Sequence, residues 1–270
     1  MGAALAGGDT CERLAGKSVM RRAVERPSPP LLEVDRLTVR FGGLVALADV
    51  RFTLQQGDCV ALIGPNGAGK TTVFNVLTGL VRPTAGRVLF QGTDITRRRS
   101  DQISRQGISR TFQLVRVFPG LSVWDNVRVG ATFGRTAAAP HPDSEALGRM
   151  LAMTDLLHLA QPPARSLGIG DRKRLEIARA LATLPRVLLL DEVIAGLAPP
   201  DARELIELIR KIHRQGVTIM LIEHIMRAVL ELADRIIVLH HGEKIAEGPP
   251  AQVMCDPMVL GAYLGKPHAA

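Results

Sequence analysis

The chain has 270 residues, 46% hydrophobic and 22% charged, an ordinary globular composition with room for one substantial core or two small ones. Its longest apolar runs, 187–190 and 217–222, fall far short of the roughly 20 residues that cross a bilayer, so neither a membrane span nor a secretion signal is expected. The net charge of +8 suits a nucleic acid, an anionic lipid face or a polyphosphate ligand equally, while the scattered Cys11, Cys59 and Cys255 lack metal-ligand spacing and fit a reducing cytoplasm.

Residues 1–30 combine small residues, a basic pair at Arg21 and Arg22 and a proline cluster, and they read as a flexible tail in which Met20 is an alternative start. From Leu31, LLEVDRLTVRF alternates apolar and polar residues as a strand does, Gly42-Gly43 turns the chain, and 45–54 alternates again. Phe41 ends the first strand, where a ring can stack on adenine or pack in the core.

The informative stretch is CVALIGPNGAGKTTVFNVL, residues 59–77. An apolar strand runs into Gly64, Pro65, Asn66, Gly67, Ala68 and Gly69, and Lys70, Thr71 and Thr72 open a segment with apolar residues at helical spacing. Such a glycine-rich turn lets backbone N–H groups and a helix N-terminus converge on a polyphosphate; Lys70 then reaches the β- and γ-phosphates and the Thr71 hydroxyl ligates Mg²⁺. ATP with Mg²⁺ is the expected ligand.

Further on, 97–99 is a run of arginines that reads as a solvated loop. Gln113 follows a short apolar strand, and its amide can ligate Mg²⁺ and orient water or serve as an ordinary polar loop residue. Between 123 and 165 the composition turns helical around a loop at 136–144, a helical insertion in an α/β core. Leu175, Ala178 and Leu181 mark another helix, with Arg172, Lys173 and Arg174 near its start, where cations call for an anionic partner. The apolar strand 187–190 ends in Asp191-Glu192, at the strand end where open α/β sheets bind ligands; Asp191 is expected in the Mg²⁺ shell and Glu192 as general base on the attacking water. A helix is predicted from Asp201, as N-cap with Glu204 three residues on, to Gly216. The strand 217–222 ends in Glu223-His224, which puts His224 at the same sheet edge, in reach of the γ-phosphate or of the water. The remainder reads as a hairpin turning near Gly242 and a short helix over 257–264, with no active-site chemistry.

Together Phe41, GPNGAGKTT, Gln113, LGIGDRKRLEIARAL, VLLLDE and His224 resemble the ATP-binding subunits of ABC transporters, in that family's order and spacing. Within it, RFGGLVAL, SRTFQ, LEIARAL, LIEH and AYLGK are similar to the ATPases of branched-chain amino acid importers, with urea and short-chain amide importers close by. The resemblance implies a P-loop NTPase of α/β class: a RecA-like core, an antiparallel β subdomain and a helical subdomain of about 114–183, together spanning 31–265, with 266–270 as a tail. It implies ATP hydrolysis in a homo- or heterodimer, each ATP held by the phosphate loop of one subunit and by Leu167, Gly168 and Gly170 of the other.

The implied partners are two integral-membrane permeases docked near Gln113 and the helical insertion, and indirectly a periplasmic solute-binding protein; no nucleic acid is expected. The implied location is peripheral, on the cytoplasmic face of the inner membrane. ATPases for lipid or lipopolysaccharide export share every catalytic motif, and soluble ABC-type ATPases acting on nucleic acid or ribosomes form a third reading, which the single nucleotide unit and missing heptad run disfavour. Gly168 stands where the family usually has serine, Asp171 where it has glutamine, Val193 where proline follows the glutamate, and Ala198 where an aspartate or asparagine is usual. Slower or more partner-dependent hydrolysis is expected from these departures.

Overall fold

The computed structural model describes residues 29–113, 116–134 and 143–264. Most of the expected tail at 1–30, the tail at 266–270, Gly265 and most of the loop at 136–144 lie outside the described residues.

Two sheets carry the fold. The alternating strands β1 (Leu32–Phe41) and β2 (Leu44–Leu54) pair antiparallel, and with β4 (Ala85–Phe90) and β5 (Thr93–Asp94) they form a four-stranded sheet in the order β2-β1-β4-β5. The second sheet has the order β10-β9-β3-β8-β7-β6, from β3 (Cys59–Ile63), β6 (Ile108–Arg110), β7 (Val187–Asp191), β8 (Thr218–Ile222), β9 (Arg235–His240) and β10 (Glu243–Gly248). It is parallel except at the β9/β10 hairpin. Strands β3, β7 and β8 are buried at every residue, as a parallel sheet covered on both faces requires.

The period-2 alternation of these strands splits the core. Val60, Leu62, Val187, Leu189, Met220 and Ile222 face a cluster shared with the antiparallel sheet and with α1 (Lys70–Leu77). Cys59, Ala61, Ile63, Leu188, Leu190, Ile219 and Leu221 face the opposite cluster, which takes in α6 (Pro199–Arg214) and α7 (Met226–Leu232). A third cluster joins α3 (Val123–Phe133), α4 (Ser144–Met153) and α5 (Ile169–Ala182). Gly130 allows α3 to close on α5, since a Cβ there would lie 2.4 Å from the Arg179 carbonyl oxygen. The short α2 (Ser100–Gln106), α8 (Pro250–Val253) and α9 (Pro257–Leu264), with 3-10 turns at Leu157–Leu159 and Ala164–Ser166, complete the described elements. Among the described residues no helix is long and apolar enough to cross a membrane.

One helix start differs from expectation. Helix α6 begins at Pro199, with Ala198 as an N-cap that has no capping side chain, and Asp201 lies inside the first turn. Proline at the first helical position is pre-set in φ and lacks only an N–H that would be unpaired there, so it outweighs the Asp201-x-x-Glu204 pattern.

Candidate functional site

The site forms where β3, β7 and β8 end level. Leu62 pairs with Ile222, and Ile222 pairs with Asp191, so the glycine-rich loop, Asp191-Glu192 and Glu223-His224 leave neighbouring strands at one edge, beside the crossover of strand order.

The loop owes its shape to close backbone approach. Gly64 has φ +150°, and a Cβ on it would lie 2.1 Å from the Leu239 carbonyl oxygen. Gly69, the N-cap of α1, has φ +102° and would meet Ala46 of β2 at 2.7 Å. The Gly242 N–H donates to the Ala68 carbonyl at 3.1 Å, so the β9/β10 hairpin, for which no site role was expected, braces the loop from behind. Asn66, Gly67 and Thr71 are exposed, Ala68 is buried, and Pro65 and Thr72 are part-buried. The Lys70 ammonium arches back and donates to the carbonyls of Gly64 at 2.7 Å and Pro65 at 2.9 Å. Burial lowers its pKa, and the carboxylates of Glu192 and Asp191 act in the opposite sense.

Asp191 is fixed from two sides. Its N–H donates to the Thr111 hydroxyl at 3.2 Å, and its Oδ2 accepts from Arg110 at 2.6 Å in an ion pair whose side chains are 5% and 4% exposed. Arg110 also donates to Asn75 Oδ1 at 2.7 Å and lies between the rings of Phe74 and Phe112, 5.4 and 5.2 Å from their centroids. Glu192 adopts φ +49°, a left-handed conformation uncommon for a long side chain, and its N–H donates to the Ile222 carbonyl at 2.9 Å. Its Oε2 accepts from Gln113 Nε2 at 2.8 Å, so the predicted glutamine and acid, 79 positions apart in the sequence, meet.

His224 is exposed beyond β8, next to Glu223. Glu223 is buried: one carboxylate oxygen accepts the Ile194 N–H at 2.9 Å, the other has no hydrogen-bond partner among the described residues, and burial raises its pKa. Phe41 is 50% exposed at the end of β1, outside the core clusters. Among the described residues no hydrogen bond draws Leu167, Gly168 or Gly170 into this cluster, and the Leu167 side chain is buried in the third core cluster. Gly168, the N-cap of α5, is exposed with nothing within 4 Å of an added Cβ, and Gly170 faces Asp201.

The cations at the start of α5 find partners within the chain. Lys173 is buried and donates to the Ala195 carbonyl, Arg172 to the Arg165 carbonyl at 2.7 Å, and Arg174 pairs with Asp155 and Glu204. Of the three, Arg174 has the anionic partners expected of these cations, and it finds them within the chain. Arg110, Glu176 and Glu223 went unnoticed as site-shaping residues, although SRTFQ, LEIARAL and LIEH contain them.

Mg²⁺ prefers oxygen donors and uses few protein ligands when phosphates supply the rest. Among the described residues no group of three His, Cys, Asp or Glu could hold a metal by itself. The free oxygen of Asp191, the Gln113 carbonyl oxygen left by its bond through Nε2 and the Thr71 hydroxyl are donors of the required kind, so the residues fit a metal bound together with a nucleotide.

Residues 47–195 match the family model described as ABC transporter, and residues 243–269 match the one described as branched-chain amino acid ATP-binding cassette transporter. The high-affinity branched-chain amino acid transport ATP-binding protein LivG of Escherichia coli is 44% identical over 88% of this chain and 99% of its own length. Its counterpart BraF of Pseudomonas aeruginosa is 40% identical over the same shares. Among solved structures, an ABC transporter cassette in its ADP conformation superposes with a TM-score of 0.79 at 32% identity, covering 88% of this chain and 100% of that one. A dimeric cassette in a post-hydrolysis state with ADP and Pi gives 0.71 at 26% identity, covering 81% and 98%.

Proposed function

This chain belongs to the ABC transporter ATP-binding family, and from that premise we propose that it hydrolyses ATP to power uptake of branched-chain amino acids or similar small polar solutes through separate permeases. The observation that carries the catalytic part is the Glu192–Gln113 contact at 2.8 Å, at the edge where the glycine-rich loop and Asp191 also end.

In this reading residues 31–265 are the ATP-binding unit and 114–183 its helical part. Phe41 stacks on the adenine, and residues 64–72 enclose the phosphates with backbone N–H groups. Lys70 exchanges the carbonyls of Gly64 and Pro65 for phosphate oxygens. Mg²⁺, held by Thr71, Asp191 and Gln113 with phosphate oxygens, would neutralise the phosphate charge. Glu192 takes the proton of the attacking water as its oxygen bonds to the γ-phosphorus and the bond to the ADP oxygen breaks; Gln113 and His224 hold that water in line.

The exposure of Gly168 at the start of α5 supports a dimer in which Gly168, Gly170 and the backbone of Leu167 meet the partner's γ-phosphate, as does the dimeric assembly of the cassette bound to ADP and Pi. A cleft of about 640 Å³ lined by Leu80, Phe112, Val117, Phe118 and Arg179 supports docking of a permease segment, and in this reading the subunit works at the cytoplasmic face of the inner membrane. A periplasmic binding protein would deliver the solute. The relatives LivG and BraF, named for branched-chain amino acid transport, support the cargo.

Purification of the tagged chain from host membranes in mild detergent tests this. Two different multi-span permeases are expected with it, and ribosomes or nucleic acid without a membrane chain would overturn the transport reading.

A further inference from the structure

Helix α5 carries a buried acid, Glu176, and a half-buried base, Arg179, that hydrolysis as described above does not use. Glu176 is 5% exposed, in a helix whose neighbouring buried residues Leu175, Ile177 and Ala178 are apolar. A carboxylate in such a place costs free energy unless groups that want a negative charge surround it. Glu176 Oε1 accepts the Phe112 N–H at 2.9 Å; burial raises its pKa, and the N–H groups of Phe112 and Arg116 act in the opposite sense, toward the charged form. One helical turn on, Arg179 donates to the Arg116 carbonyl and lies over the Phe118 ring at 4.8 Å, while Arg116 covers the Phe112 ring at 4.9 Å. Residues 176 and 179 share a helix face. That face therefore grips the backbone on both sides of Gln113: the acid takes N–H groups, and the base gives to a carbonyl.

We propose that Glu176, backed by Arg179, is the positioning residue that holds Gln113 against Glu192 and ties it to the helix whose other end presents Gly168 and Gly170. The inference rests on the ATPase reading, for it adds a link between two parts of the nucleotide site. With 14 residues, α5 is a rod of about 21 Å that passes displacement from one end to the other. A shift at Gly168 then reaches Phe112 through a buried charge-assisted bond, without a solvated side chain between them. Both Glu176 and Arg179 also line the cleft beside Phe112 and Phe118, so whatever fills that cleft presses on the same pair. An apolar residue at 176 would pack as well but leave the Phe112 N–H unpaired; packing alone does not explain the acid.

The test compares the purified wild-type chain with Glu176→Ala and Glu176→Gln by amide hydrogen exchange, steady-state MgATP hydrolysis and thermal melting. Glu176→Ala is expected to speed exchange of the Phe112 and Gln113 amides by about tenfold or more, leaving β7 unchanged. It should also lower kcat on the order of 10- to 100-fold with little change in KM for ATP, because the loop that binds phosphate is untouched while Gln113 is misplaced. Glu176→Gln keeps an oxygen that can accept the N–H, so it should recover most of both losses. Wild-type exchange and kcat in Glu176→Ala would overturn the proposal, as would a parallel loss of melting temperature and ATP affinity, the mark of a merely structural role. A wild-type chain that binds ATP without hydrolysing it would overturn the ATPase reading instead, and the exchange data would still decide the clamp.

Discussion

Replacing Arg110 by methionine tests how the nucleotide site is held before any ligand arrives. The Arg110–Asp191 pair, 2.6 Å apart with both side chains nearly out of solvent, sits between two aromatic rings and has a third partner in Asn75. Removing one member of such a pair leaves a buried charge without compensation, which costs about 3–5 kcal/mol. Methionine keeps much of the packing between Phe74 and Phe112, so the loss reports mainly the charge. Urea unfolding of the chain without nucleotide, followed by circular dichroism, should place Arg110→Met about 3 kcal/mol below wild type, within that range. Adding Asp191→Asn removes the stranded charge, and the double variant should be about 2 kcal/mol more stable than Arg110→Met alone, a coupling expected of residues in contact. A loss under about 1 kcal/mol for Arg110→Met, or strictly additive losses in the double variant, would refute the view that this pair organises the site.

Ala198→Asp supplies the missing cap of α6 and should raise stability by about 1 kcal/mol in the same unfolding assay; no gain would mean that the N-terminus is already satisfied. Gly168→Ser fits the open space at the start of α5 and restores a hydroxyl toward the partner's phosphate, so ATP turnover in the assembled complex should rise; an unchanged rate would remove Gly168 as the cause of slow hydrolysis. Burial pushes the Cys59 thiol up from 9.0 to about 12, with Asp234 and Asp58 adding to the effect. Between those values the folded chain keeps a proton that the unfolded chain loses, so this contribution is full below pH 9 and falls by about 1.4 kcal/mol per pH unit above it. The stability gap between wild type and Cys59→Ala should shrink accordingly from pH 9 to 11, whereas a constant gap would contradict the assignment.

What could be read from the sequence was whatever a short segment settles by itself. Residues 59–77 announce strand, turn and helix because the glycines, the lysine and the apolar period stand side by side. Asp191 and Glu192 follow an apolar strand directly, and strand order then brings them to the loop. The clamp around Gln113 was hidden because its partners are far apart: Phe112 and Glu176 are separated by 64 positions, Arg110 and Asp191 by 81. Nothing in LEIARAL tells an inward glutamate from a solvated one until the neighbouring elements are in place. The cations at the start of α5 show the same limit: an anionic partner was expected, Arg174 finds two carboxylates, and Lys173 meets the Ala195 carbonyl instead. The start of α6 was misplaced by a local rule, since a capping pattern at Asp201 competed with proline at Pro199.

In the proposed mechanism Glu192 completes hydrolysis in a site closed by a second subunit. Sedimentation of the Glu192→Gln chain with MgATP, beside a phosphate-release assay on both chains, tests it most directly. The wild type should release phosphate, Glu192→Gln should do so at least about 100-fold more slowly, and the variant should accumulate as a dimer holding two ATP molecules. Wild-type turnover by Glu192→Gln, with ATP bound to a monomer, would contradict both the role of the glutamate and the shared site.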